Sequence, residues 1–274
     1  MWPLDRRKDV LRVGRRRVEL WQPSTAGFVL KDQQGMGHED ASPSRLSQAV
    51  KDLLVRAGAE GKQRQRQGLD AVLESALLPV MLLDVPATLW SVPQVEALFQ
   101  HRVNEVYGRP ENGSWQLHLV FLPGASRALG YALSPTIRAA LLAAVEHAGR
   151  KLTALQPALA WGQREVKREM PRNGGYLWIE QDRALVCLAK SGQLVGLNAG
   201  ASLPHDMQQA HRRLQVECAR QGVVDLARGV IAGWEPSAMD LAPHELMRWV
   251  CVASNRHAAD STPPPARTRI EVPA

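Results

Sequence analysis

A chain of 274 residues, 45% of them hydrophobic, is long enough for one large domain or two small ones with a real core. The formal net charge of +7 points towards anionic partners, but neither "DRRKDVLRVGRRR" nor "GKQRQRQG" carries an aromatic for base stacking, and no zinc-finger or RNP-type pattern occurs. No apolar stretch approaches the ~18 residues of a membrane span, and no apolar region follows the basic start as in a secretory signal.

In chain order, "LRVGRRRVELWQ" and "GFVLKD" read as an opening hairpin, and Gln33 to Ser44 as a mobile loop. Ser42 and Pro43 then introduce Leu46, Val50, Leu53 and Leu54, a helical stripe expected to end before Gly58. "LDAVLESALLPVMLL" is a β-compatible apolar segment interrupted by Pro79, which implies an edge or a bulge. Ser91 and Gln94 have capping-box spacing ahead of Val95, Phe99 and Val103, and Gly108 fits the helix stop. "WQLHLVFL" and "ALGYALS" pair around Pro123 and Gly124. Ser134 and Pro135 open a further helix that Gly149 closes.

"KLTALQPALAW" begins as a strand. Three more strands follow, Tyr176 to Gln181, Ala184 to Ala189 and Gln193 to Asn198, with turns at Asp182 and at Lys190 to Gly192. A fourth helix is expected from about Pro204 to Arg220. "HELMRWVCVAS" reads as a helix or a buried strand, with a strand favoured over Arg248 to Ala253. From Ser254 onward the Pro-, Ser- and Thr-rich composition implies a disordered tail. Hairpins alternating with strand–helix units predict an α/β fold, a mixed β-sheet with helices on its faces.

Signatures of chemistry are sparse. GxSxG, GxGxxG after a strand and HExxH are all absent, and "GAEGK" lacks the Ser or Thr of a P-loop. The histidines show no i, i+4 pair, so His147 and His211 read as packed or surface side chains rather than ligands. Cys187, Cys218 and Cys251 are widely spaced, which fits buried thiols in a reducing compartment better than disulfides or zinc. The eight tryptophans read mainly as core and rim packing, with some available to mark a partner surface.

The order of elements resembles the actin-like (RNase H-type fold) cytoplasmic assembly proteins of type IV pilus and type II secretion systems, the PilM and GspL-like group. That family opens with apolar-Asp-apolar-Gly, three residues, then Val-Lys-Leu, and "LRVGRRRVEL" from Leu11 to Leu20 follows the same frame. Its second hairpin has apolar-Asp-apolar-Gly, a turn ending in Gly and a strand leading to Gly-Gly, and "YLWIEQDRALVCLAKSGQLVGLNAG" keeps the hairpin length, the Ser191–Gly192 turn and one terminal glycine, Gly200. The resemblance implies a first subdomain over 11–173 after a flexible 1–10, a second, shortened one over 174–254, and the tail over 255–274.

The departures carry the functional expectation. The nucleotide-cleft positions implied by the resemblance are Arg12, Gly14, Trp178, Glu180, Gly192 and Gly200. The family's metal-organising Asp is replaced by Arg12, and its second Asp-x-Gly by Trp178 and Glu180. A cation in place of the carboxylate repels a metal, and bulky residues obstruct the close approach of phosphates. The resemblance therefore implies a relative without a nucleotide cofactor: a cytoplasmic, non-catalytic scaffold that binds other proteins of an envelope assembly complex, held at the inner membrane only through a partner. An ATP-binding alternative needs a carboxylate from Asp84, Asp182 or Asp225. A further alternative is a basic, RNase H-like protein that binds nucleic acid; an active nuclease of that type needs clustered acids, for which Glu19, Glu74 and Glu180 are the scattered candidates.

Overall fold

The computed structural model describes residues 8–25, 27–37, 42–59, 68–86, 88, 91–122, 126–165, 172–223, 229–233 and 247–251. The opening hairpin is a three-stranded meander of β1 (Asp9–Val13), β2 (Arg17–Ser24) and β3 (Gly27–Gly35). With β4 (Gly68–Leu73) and β8 (Lys151–Pro157) these strands form a sheet in the order β3-β2-β1-β4-β8, in which β4 and β8 run parallel to β1. Strands β9 (Gly174–Ile179), β10 (Ala184–Lys190), β11 (Gln193–Ala201), β12 (Gly229–Gly233) and β13 (Met247–Cys251) repeat the plan in a second sheet, β11-β10-β9-β12-β13. Each sheet is thus a meander followed by two parallel strands added on the other side of its first strand.

Between β4 and β8 a third unit is inserted. Strands β5 (Val80–Asp84), β6 (Gln116–Phe121) and β7 (Arg127–Leu133) make a small antiparallel sheet, ordered β5-β7-β6, with α2 (Val92–Tyr107) against one face. Gly130 lets the Phe99 ring of that helix lie directly on β7. The first sheet is backed by α1 (Pro43–Ala59) and α3 (Pro135–His147), which also pack on each other. Helix α4 (Ala158–Glu165) follows β8, and α5 (Met207–Arg220) covers the second sheet.

The strand period of two sorts the second sheet cleanly. Leu177, Ile179, Val186 and Leu188 face α5, while Tyr176, Trp178, Leu185 and Cys187 join the core of the first sheet. Burial on both faces explains why β9 and β10 read as near-continuous apolar runs. The α1 stripe of Leu46, Val50, Leu53 and Leu54 is fully buried as its spacing implies. Glycine closes α2 at Gly108, with φ 77°, and follows α3 at Gly149, with φ 68°.

Several boundaries differ from the sequence reading. Gln33 to Gly35 belong to β3 rather than to a loop, because β3 pairs with β2 as far as Arg17. Helix α1 passes through Gly58 to Ala59. The apolar segment around Pro79 is two strands in two sheets, separated by the turn from Glu74 to Leu78. Pro157 ends edge strand β8, where its missing N–H costs no ladder bond, and the unforeseen α4 begins directly after it. Helix α5 starts at Met207, since Asp206 accepts the Gln209 N–H at 2.6 Å and caps it. The short "GVIAG" of β12 is a strand that carries no periodic signal in the sequence. The tail from Ser254 lies outside the described residues.

In α4 the backbone of Gly162 lies against the Trp178 indole, and a Cβ there would overlap the ring. In an open helix Gly→Ala gains about 1 kcal/mol; here Gly162→Ala is expected to destabilise by about 1–3 kcal/mol through overpacking. Chemical denaturation in a Trp178→Leu background should return the substitution to neutral or stabilising, which identifies the ring as the cause.

Candidate functional site

In α/β sheets a ligand crevice forms outside the carboxyl ends of parallel strands. Here the carboxyl ends of β1, β4 and β9 converge, bringing together the β1–β2 turn (14–16), the segment Glu74–Ser75 and the β9–β10 turn (180–183). The space between them is occupied by the chain's own polar side chains.

Arg12 is the centre of the group. Its guanidinium donates from Nε, at 2.8 Å, and from Nη2 to Oε1 of Glu74, and from Nη1 to Oε2 of Glu19 at 3.0 Å. Arg12 and Glu19 are direct cross-strand partners in the β1–β2 ladder, so the register itself sets that pair. The Trp21 indole donates to the same Glu19 oxygen at 3.0 Å, and Arg17 pairs with the other. Arg12, Glu19 and Glu74 are buried, and Arg17 is partly exposed. Burial opposes the Arg12 charge, but Glu74 and Glu19 outweigh it and hold its pKa above the ordinary value. For Glu74, burial outweighs the pull of Arg12 and raises the carboxyl's pKa.

Two further residues tie the second sheet to this group. The buried Glu180 carboxylate accepts the Ser75 N–H at 2.9 and 3.0 Å and also the Ser75 hydroxyl. Its pKa is pushed up to about 8, first by burial and then by the Glu74 charge. Gln181 enters the β1–β2 turn: its Oε1 accepts the Arg16 N–H at 3.3 Å and the Arg17 N–H at 3.1 Å, while its Nε2 donates to the Arg17 carbonyl at 2.9 Å. The Gln181 backbone N–H donates to Glu74 at 3.2 Å. Gly14 makes this approach possible, because a Cβ there would overlap both the Gln181 amide and the Glu74 carboxylate.

The residues singled out in sequence are distributed unevenly. Arg12, Gly14 and Glu180 meet in this group. Trp178 lies one strand turn deeper, buried, with no hydrogen-bond partner for its Nε1 among the described residues. Gly200 stands near the end of β11, where Ala201 pairs with Ala184, at the same end of the sheet as Glu180. Gly192 does not: it forms the β10–β11 turn with Ser191, at the opposite end of β10. Asp84 ends edge strand β5, exposed and paired with Arg127 at 2.8 Å, and Asp182 pairs with Arg183 at 3.2 Å. Asp225 lies outside the described residues.

Glu19, Glu74 and Glu180, scattered in sequence, are in fact assembled, but around an arginine. Among the described residues no group of His, Cys, Asp and Glu is arranged to hold a metal ion. Cys187 and Cys218 are buried free thiols. Gln181 was not singled out in the sequence. The signal available for it and for Glu74 is position alone, a polar residue one or two places past the carboxyl end of an apolar strand.

No family model matches the sequence, and no curated protein matches it closely. Among solved structures the chain is similar to the PilM–PilN type IV pilus biogenesis complex, with 14% identity and a TM-score of 0.51 over 83% of this chain and 81% of that one. The fold is actin-like. The cytoplasmic domain of EpsL, an inner-membrane component of the type II secretion system of Vibrio cholerae, aligns with 12% identity over 89% of this chain and 88% of its own, with a TM-score of 0.47. A Bacteroides thetaiotaomicron protein with an actin-like ATPase fold and unknown function aligns with 13% identity over 85% of each chain, with a TM-score of 0.45. At these identities the likeness is one of fold. No helix among the described residues is long and apolar enough to cross a membrane.

Removing Arg12 strands two buried carboxylates, so Arg12→Ala is expected to cost about 3–5 kcal/mol in chemical denaturation. Arg12→Lys should recover only part of it, since one ammonium cannot reproduce the forked contacts. Glu180 adds a pH dependence. Its folded pKa of about 8 lies above the ordinary 4.5, so the folded state binds this proton more tightly than the unfolded chain. Its stabilising contribution is complete below pH 4.5 and is lost as pH rises through about 8. Glu180→Gln, which keeps an oxygen for Ser75, should flatten the decline in stability between pH ~5 and ~9.

Proposed function

We propose that this chain is a non-catalytic, nucleotide-independent actin-like scaffold that binds partner proteins during assembly of a bacterial envelope machine of the pilus or secretion type. The observation that carries this reading is the guanidinium of Arg12, locked between Glu74 and Glu19 where an actin-like nucleotide site needs a carboxylate. The residues present do not fit a magnesium–nucleotide. A cation already neutralises the acidic group, and the amides that would receive a phosphate are bonded to Gln181. Glu180 stands where close approach needs glycine, and its carboxylate is engaged by Ser75. With the acidic groups among the described cleft residues held by Arg12 and Ser75, this reading places the function of the protein on its surface. The fold likeness to the PilM–PilN complex supports protein partners, and a membrane-anchored partner would bring the chain to the inner membrane.

Titration calorimetry with Mg-ATP should give no binding heat up to millimolar nucleotide. Micromolar binding that is abolished by Gly14→Val would overturn the reading. The scaffold part is tested with the cytoplasmic segment of a membrane-anchored pilus assembly protein: a stoichiometric complex, unchanged by ATP, is expected in analytical ultracentrifugation.

A further inference from the structure

We propose that Gln181 is an intramolecular ligand: it takes the place of a bound oxyanion in the β1–β2 turn and thereby holds the two five-stranded sheets in one closed arrangement. Its primary amide has the polarity that the turn requires. The Arg16 and Arg17 N–H groups converge on a single oxygen, as they would on an anion, while the nitrogen of the same amide adds a second donor to the Arg17 carbonyl, which also accepts the Gly14 N–H at 3.1 Å. A primary amide accepts and donates at once without bringing a charge. A glutamate at 181 would add a further carboxylate beside Glu74 and Glu180, and a lysine could not accept the two N–H bonds.

The contacts run in both directions across the junction. Gln181 and Glu180, from the second sheet, accept N–H groups of Arg16, Arg17 and Ser75, which belong to the first. Glu74, from the first, accepts the Gln181 N–H. On another flank the inserted small sheet adds a clasp of the same kind, where Arg127 donates to the Val195 carbonyl of β11 at 2.7 Å. The contacts at the mouth fix the separation of the two turns, and Gly14 leaves the space in which the amide sits. The turn amides are therefore satisfied with no molecule bound. Closure does not wait for a ligand, whichever partner the surface recognises.

The test is residue-resolved amide hydrogen exchange on the full chain and on Gln181→Gly, with and without millimolar inorganic phosphate. In the variant, the Arg16 and Arg17 amides are expected to exchange at least tenfold faster, and the Ser75 amide across the junction to accelerate with them. Phosphate should restore protection at Arg16 and Arg17 in the variant and change nothing in the wild type. Unchanged exchange at the turn, or an undisturbed Ser75, would sink the proposal, as would wild-type amides that respond to phosphate as the variant's do. Gln181→Asn, one methylene too short to span the gap, reads the same amides should the glycine variant fail to fold. Because neither ATP nor a partner protein enters the measurement, its outcome is separate from that of the scaffold reading.

Discussion

The guanidinium of Arg12 is the constraint on which the rest of this junction depends. A buried cation is tolerable only when its partners are close and well aligned, since the loss of hydration is large and a single misplaced carboxylate does not offset it. Arg12 meets that condition by drawing on two different origins. Glu19 comes from the neighbouring strand, fixed opposite it by the β1–β2 register, and Glu74 comes from the end of a parallel strand. The position of Glu74 is itself held by its N–H donating to the Val13 carbonyl at 3.0 Å. Once this arrangement exists, water must stay out, and the second sheet supplies the cover with Glu180 and Gln181.

The two sheets share a topology but have parted in chemistry at equivalent points. Arg12 and Trp178 each stand two residues before the turn that leaves the first strand of their sheet. One is ionised and netted by carboxylates; the other is aromatic and packed on the backbone of α4. Gly14 and Glu180 are likewise paired by position, and one provides the room that the other's neighbour fills. The asymmetry is complementary: a small residue and a cation on one side, large and acidic residues on the other. The two sides fit together more closely than they would around a separate molecule.

Much of the fold was legible because it is written in local patterns. Helix α2 is framed by the Ser91–Gln94 capping box and Gly108, α3 by Ser134–Pro135 and Gly149, and the hairpins of β6–β7 and β9–β10–β11 by turn residues between apolar runs. The interruption at Pro79 was visible, but nothing local says that the strands on its two sides enter different sheets. Strand β12 is invisible for a related reason, since five small and apolar residues between two partners need no alternation. The cleft residues divide in the same way. Arg12, Gly14 and Glu180 were found by aligning the two hairpins with a known frame. The convergence of Glu19, Glu74 and Glu180, and the insertion of Gln181, depend on contacts between segments that the sequence does not relate. Acidic residues that stand scattered along the sequence therefore meet only in the fold.

The contact between Gln181 and Arg17 joins residues 164 positions apart, and this separation orders events in time. Contacts of such range form late, because the loop entropy between their ends must be overcome before any bond rewards it. As the chain leaves the ribosome, the first sheet lacks β8 until the inserted unit and α3 have been made. Its β1–β2 turn keeps its amides in water for longer still, until β9 and β10 emerge. The buried ion group of Arg12 thus has an open, hydrated precursor in every newly made molecule, and the second sheet completes a site that the first could not close alone.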